Sequence, residues 1–233
     1  MRPPILTPRL EMILSLAPEV KTYCDIGTDH GYIAAALAGR GGRVVAMDIN
    51  PGPLEQAERN IRRFGLEERI QTRLSDGFSA LSGGEAECAV IAGMGGELIA
   101  AILAKGIKGV KYLVLQPQST IYELRDYLNK NGYRIEKEEL CREDRRFYLG
   151  MLVTPGVQPP FSEEEKHIGP MLIKSGPPLL AEYAKSRIYE LESILKKIGD
   201  AAASRREECR ALIEMYRKYE NGGLSDGRAE GNS

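Results

Sequence analysis

The residues whose types and spacing could do chemistry gather in one short stretch, Asp25-Ile-Gly-Thr-Asp-His-Gly-Tyr32. A strand candidate runs into Asp25, Gly27 and Gly31 and is followed by a helical pattern. Glycines at such a junction let backbone N–H groups come close to a ligand, because no Cβ stands in the way. A dinucleotide fingerprint would place a further glycine where Asp29 stands. A carboxylate aimed at a pyrophosphate would repel it. S-adenosylmethionine has no phosphate and carries a sulfonium and an ammonium, so acids in this loop suit that cofactor better than NAD. The plain alternative is a purely structural turn.

Other candidates follow at the ends of later strand-like runs. Asp48, with Ile49 beside it, ends the second; an acid there can accept both ribose hydroxyls of either cofactor. A cap or a surface carboxylate is the alternative, although Asn50-Pro51 already supplies a cap. Asp76-Gly77 could take the adenine amino group or be an ordinary Asp-Gly turn. The stretch Ile91-Ala-Gly-Met-Gly-Gly96 opens space for a flat group at a strand's carboxyl end. Ala92 and Gly93 are assigned there to the cofactor, and Met94, Gly95 and Gly96 to the substrate. A tight turn explains one of those glycines better than three. Gln116 and Pro117 lie on the same rim, where Gln116 could bond a base edge or simply sit in a surface loop. His30 is assigned to the cofactor rather than to catalysis, and Tyr32 to stacking on a base or the cofactor.

The elements that must position these residues are legible from hydrophobic patterning. Thr7-Pro8 opens a helix with Leu10, Ile13, Leu14 and Ala17 on one face, ending at Pro18. Strand candidates are Lys21–Asp25, Arg43–Ile49, Ile70–Leu74, Cys88–Ala92 and Tyr112–Leu115. Helices are expected over Ile33–Ala38, from Asn50-Pro51 to Phe64 with Gly65 as stop, and after the last two strands. Short, near-continuous apolar runs separated by helices call for a parallel sheet covered on both faces. Tyr133–Leu140 and Phe147–Val153 are joined by only six residues, Cys141–Arg146. That is too few for a helical crossover, so this pair is expected to be antiparallel. The fold class is therefore α/β: a mostly parallel sheet with an antiparallel terminal hairpin, an architecture that is similar, by fold-level analogy alone, to that of the Rossmann-like methyltransferases.

Thr154-Pro-Gly-Val-Gln-Pro-Pro160 is the expected domain boundary, dividing residues 1–154 from a helical domain over 161–220. In the latter, Leu180, Ala184, Ile188, Leu191, Leu195 and Ile198 alternate steps of four and three, a coiled-coil seam. Cys209, Leu212, Tyr216 and Tyr219 repeat it after an interruption near Gly199-Asp200. The seam fits an intramolecular antiparallel hairpin, and hence a monomer, in preference to a dimer. Residues 221–233 are expected to be a flexible tail.

The 233-residue chain is 42% hydrophobic and 28% charged, the composition of an ordinary globular protein. Its start lacks a signal peptide's apolar core, and no run nears the roughly 18 apolar residues of a membrane span. Cys24, Cys88, Cys141 and Cys209 lie far apart, and there are two histidines, so no metal site is expected and a reducing cytoplasm is. A net charge of −1 argues against coating nucleic acid through bulk charge, though not against a local basic face. Residues 161–220 hold eleven Lys+Arg against eleven Asp+Glu, so a basic surface there needs segregation. Lys196-Lys197, Arg205-Arg206, Arg210 and Arg217-Lys218 are candidates, as are Arg59, Arg62 and Arg63; intrahelical pairs on a solvated face are the alternative.

The loop Asp25–Tyr32, the stretch Ile91–Gly96 and Leu115-Gln-Pro117, in this order and before a helical coiled coil, resemble the bacterial TrmK family. The resemblance extends to about Tyr219. It implies a tRNA (adenine-N1)-methyltransferase acting on the adenine at tRNA position 22, with S-adenosylmethionine as donor, a Rossmann-like class I methyltransferase domain and a C-terminal coiled coil assisting tRNA binding. Thr28 and Gly31 stand where that family commonly has Ser and Ala. The resemblance places a candidate catalytic aspartate on Asp29. Other readings are a methyltransferase for a small molecule or protein, and a non-catalytic RNA-binding protein of the same fold. The first is disfavoured by the lack of a lid insertion, the second by intact Asp25, Gly27, Asp48 and the Gly-Met-Gly-Gly stretch.

Overall fold

The computed structural model describes residues 5–198 and 203–221. The expected interruption at Gly199-Asp200 and the expected tail beyond Asn221 lie outside the described residues, as does the opening Met1–Pro4. Contacts divide the chain into two units, one ending at Met171 and one beginning at Leu172.

The first unit opens with α1 (Pro8–Leu16), begun by Thr7 and a proline at the first helical position. Then come β1 (Thr22–Ile26), α2 (Tyr32–Gly39), β2 (Arg43–Asp48), α3 (Pro51–Phe64), β3 (Ile70–Leu74), β4 (Cys88–Gly95) and α4 (Gly96–Ala104). β5 (Tyr112–Ser119), α5 (Ile121–Lys130), β6 (Tyr133–Glu143), β7 (Arg146–Pro155) and α6 (Glu163–His167) complete it. The sheet has seven strands in the order β3-β2-β1-β4-β5-β7-β6. β1 to β5 pair in parallel, whereas β7 is antiparallel to both β5 and β6. The terminal hairpin thus forms as expected, and its second strand takes the inner place. β7 begins at the carboxyl end of β5, since Leu115 faces Met151 and Leu113 faces Val153.

The core lies on both faces of this sheet. α2 is apolar all round and buried from Ile33 to Ala38, which a helix wedged between sheet and neighbours requires. α3 is amphipathic, opened by Asn50-Pro51 and stopped by Gly65 at φ 68°. β4 and β5 run beyond the expected ends at Ala92 and Leu115, to Gly95 and Ser119. Register shifts between Ala92, Met94 and Gly95 mark an irregular pairing that bends the strand as it ends.

A buried ion pair anchors the segment beyond the proline-rich stretch to this unit. Arg125 Nε donates to Glu138 Oε1 at 2.8 Å, and both side chains are fully buried. The guanidinium also donates to the carbonyls of Lys166, His167 and Ile168, while Met171 N donates to Glu138 Oε2. Gly169 has φ 124°, and a Cβ there would stand 2.6 Å from both partners. This clasp keeps the chain through Met171 with the sheet.

After α7 (Pro170–Ser175), which spans the division, the second unit holds α8 (Leu180–Lys197) and α9 (Ala203–Arg217). Arg206 donates to the carbonyls of Leu195 and Ile198, while Tyr183 meets Tyr216 edge-on at 6.2 Å, so the helices run antiparallel. Leu180, Ala184, Ile188 and Leu191 are buried as expected, with Tyr183 beside them. On α9 Cys209, Ile213 and Tyr216 are buried, and Leu212 only partly. No described helix is long and apolar enough to cross a membrane. Among the described residues no group of three or more His, Cys, Asp or Glu could hold a metal.

Candidate active site

The sheet changes direction of winding between β1 and β4, the place where open α/β sheets bind ligands beyond their carboxyl ends. A cleft of about 380 Å³ lies there, within the roughly 300–1,000 Å³ range of small-molecule sites. Of the expected residues, Asp25, Gly27, Asp29, His30, Tyr32, Asp48, Ala92, Gly93 and Met94 line it. Arg9, Leu10, Thr28, Ile33 and Gln118 line it too and were not expected.

The loop after β1 is held by its own backbone. Gly27 N and Thr28 N both donate to Met47 O of β2, at 2.8 and 3.0 Å. Gly31 N donates to Thr28 O, and the buried Asn60 on α3 donates to His30 O. These ties fix Asp29 at φ 42°, a left-handed conformation that Asp tolerates better than most residues. The Asp29 carboxylate is 70% exposed on the rim, with His30 Nε2 3.6 Å away. His30 and Tyr32 have ring centroids 5.8 Å apart. Gly31 caps α2 at φ 70°, and a Cβ there would press on Ala57 of α3. A Cβ on Gly27 would stand 2.2 Å from Met94 Cε. The two motifs therefore meet across the cleft.

Asp25 is buried and accepts from Thr28 Oγ1 at 2.7 Å. Burial pushes its carboxyl up to about 6; the bonds from Thr28 and the Ala34 backbone pull the other way, and nearby Asp48 adds to the rise. Asp48 is also buried, and its Oδ1 accepts from Asn50 N. The cleft therefore holds two buried carboxylates and a third on the rim.

Several expected residues sit outside the lining. Ile49 is exposed beside Asp48. Asp76 pairs with Lys105 at 2.6 Å, and Gly77 packs on Ile102. Gly96 is a packing glycine, for a Cβ there would lie 2.2 Å from Thr120 O. Gly95 and the buried Pro117 flank the rim. Gln116, expected to bond a base edge, is fully buried with its amide engaged. Its Oε1 accepts from Arg9 Nη1 and Gly93 N, and its Nε2 donates to Pro117 O. It fastens the rim from inside. Arg9 comes from a helix far away in sequence, and no local motif announces it.

The family model for tRNA (adenine(22)-N(1))-methyltransferase, TrmK, matches residues 23–218. The chain belongs to the TrmK family. It is 30% identical over 207 residues to the tRNA (adenine(22)-N(1))-methyltransferase of Bacillus subtilis strain 168, covering 84% of this chain and 87% of the relative. A Streptococcus pneumoniae structure in complex with S-adenosyl-L-methionine matches with TM-score 0.83 and 30% identity, over 93% of this chain and 100% of that one. M. capricolum TrmK, in complex with the cofactor product S-adenosyl-homocysteine, matches with TM-score 0.79 and 25% identity, over 93% and 98%.

Proposed function

We propose that this TrmK-family chain binds S-adenosylmethionine in the cleft between β1 and β4 and methylates N1 of the adenine at tRNA position 22. The observation that carries the reading is the meeting of three carboxylates and two glycine-bearing strand ends in one cleft at the sheet's switch point. That donor set fits a ligand that is cationic at sulfur and nitrogen. When bound, the cofactor supplies an electrophilic methyl group to a nucleophile aligned behind it.

The protein's own residues then have separable tasks. Asp25, ionised, faces the cationic part of the cofactor, with Thr28 holding its carboxylate. Asp48 would accept from the ribose, Ile49 beside it would flank the adenine, and Asp76 with Gly77 would meet the adenine amino group once Asp76 exchanges its bond to Lys105. Gly27, Gly31, Ala92 and Gly93 shape the floor, and His30 closes the loop side. Asp29 stands on the exposed rim, where it accepts from the N6 amino group of the target adenine. N1 would attack the methyl carbon with its in-plane lone pair as the carbon–sulfur bond breaks and S-adenosylhomocysteine leaves as a neutral thioether; no prior deprotonation is needed, so catalysis is mainly positioning. The Asp29 carboxylate also offsets the positive charge that develops on the ring. Tyr32 stacks on the base and Met94 with Gly95 bounds the space it enters, while the buried Gly96 and Pro117 support that strand end from behind. The target base must leave the folded tRNA to arrive there.

The RNA backbone is gripped by cations that the protein leaves unpaired. Many candidate cations are engaged: Arg62 pairs with Glu58, Arg205 with Glu208 and Arg217 with Glu214. Among the described residues Arg63, Lys196, Lys197 and Arg210 form no ion pair, nor do Arg145 and Arg146 at the exposed tip of the β6–β7 hairpin. In this reading residues 1–154 carry methyl transfer. Within residues 161–220, α8 and α9 form a coiled-coil hairpin that assists tRNA binding, in a monomer acting in the cytoplasm.

Mapping the modified nucleotide tests the proposal. Unmodified tRNA incubated with protein and labelled cofactor should acquire one methyl at N1 of A22, seen as an arrest of reverse transcription and by mass spectrometry. Methylation of another position, or none with fully bound cofactor, would overturn it.

A further inference from the structure

Arg9 is the one permanently charged cation among the described residues lining the cleft, opposite Asp25, Asp29 and Asp48. It is held firmly. Its backbone N donates to Glu143 Oε2 at 3.1 Å, and its guanidinium stands 5.6 Å from the centre of the Tyr148 ring. Its Nη1 donates to Gln116 Oε1 at 3.1 Å, and the same oxygen accepts from Gly93 N at 3.2 Å. Gln116 is fully buried, so a desolvated amide joins Arg9 to the glycine turn that floors the cleft. Arg9 Nη1 lies 3.7 Å from where a Gly93 Cβ would be.

Glu143 is held below the ordinary carboxylate range by a bond from Thr7, by the Arg9 backbone N and by the Arg9 charge, but it meets Arg9 through that backbone N and leaves the guanidinium's fork open. Among the described residues the guanidinium forms no ion pair. The groups that move the Asp25 titration are its own burial, Thr28, the Ala34 backbone and Asp48, so Arg9 is not its counter-ion. A guanidinium offers five N–H donors in a planar fork that matches a carboxylate, and the bond to Gln116 engages one.

The amino-acid end of S-adenosylmethionine carries an ammonium and a carboxylate. Three aspartates attract the first and repel the second. We propose that Arg9 binds the α-carboxylate of the cofactor, with Gln116 holding the guanidinium in position. This rests on the reading of the cleft as the cofactor site. It gives α1 a task beyond covering the sheet: bringing positive charge to an otherwise acidic cleft.

Calorimetric titration with S-adenosylmethionine and with its decarboxylated analogue tests this without turnover. The wild type should bind the cofactor at least about tenfold more tightly than the analogue, the scale of a charge-assisted bond. In Arg9→Gln the cofactor should lose about tenfold or more while the analogue stays within about twofold, closing the gap. Gln116→Ala should close it in part. Equal weakening of both ligands in Arg9→Gln would overturn the proposal in favour of a role in shaping the cleft. An unchanged preference with weakened tRNA binding would overturn it in favour of a backbone phosphate contact. Binding of neither ligand by the wild type would instead sink the reading of the cleft itself.

Discussion

Two of the buried carboxylates in the first unit, Glu138 and Asp25, are held under opposite terms. Glu138 meets Arg125 at 2.8 Å and a backbone N–H, and the guanidinium is shared among three carbonyls. Asp25 has one hydroxyl donor, a backbone donor and another aspartate nearby, with no cation to balance it. A buried charge without a partner is costly unless it is neutralised or a ligand brings its complement. The first arrangement serves the fold. The second leaves a charge whose partner, in the proposed reading, comes with the cofactor.

Breaking the compensated pair should have the largest effect. Arg125→Met should lower the unfolding free energy by about 3–5 kcal/mol in urea titration, because it strands a buried carboxylate. Adding Glu138→Leu should recover most of that loss. A single-variant loss below about 1 kcal/mol would show that the clasp is not what balances Glu138.

Removing the uncompensated charge should do the reverse. The folded-state value of Asp25, about 6, lies above its ordinary 3.8, so this group favours the fold at low pH. That contribution is lost as pH rises through about 6. Asp25→Asn should therefore stabilise the cofactor-free protein at pH 8 by up to about 3 kcal/mol, and far less at pH 4, in thermal melts. Cofactor affinity of the wild type should fall as pH drops through about 6, and the variant should bind weakly at every pH. A variant less stable than wild type at pH 8 would mean that the charge is already balanced.

Asp29 sharpens the contrast, being exposed where Asp25 is buried. Asp29→Ala should cut kcat by about 10²-fold, the scale of losing one positioned electrostatic contact, and leave the cofactor Kd within about twofold. Undiminished turnover would remove its catalytic role. The smallest effect belongs to the helical unit. Neutralising Lys196 and Lys197 should flatten the log–log salt dependence of tRNA affinity by about one to two. An unchanged slope would clear them of backbone contact.

What the sequence reveals follows the same division. The loop Asp25–Tyr32 is legible because glycines and acids at a strand–helix junction have few other uses, and the structure sets it against Met94 as one cleft. Arg9 and Arg125 are not legible. Each lies in a helix whose neighbours are polar or ordinary, and each acquires its role from partners more than ten residues away. Gln116 reads as a rim residue because Pro117 looks like the end of a strand, yet β5 continues to Ser119 and buries it. On α9 Leu212 outweighs Ile213 in a heptad count, but Ile213 is the buried one.

The place of β7 bears on how the chain is made. β5 pairs on its far side with β7, and β6 reaches the sheet only through β7. A nascent chain that has finished β5 therefore keeps one edge open until residue 155 emerges, some seconds at roughly 5–20 residues per second. During that interval an apolar strand, Tyr112–Leu115, offers unpaired backbone to any passing strand. Ribosome-bound chains ending between β5 and β7 are where this protein should lean hardest on chaperones.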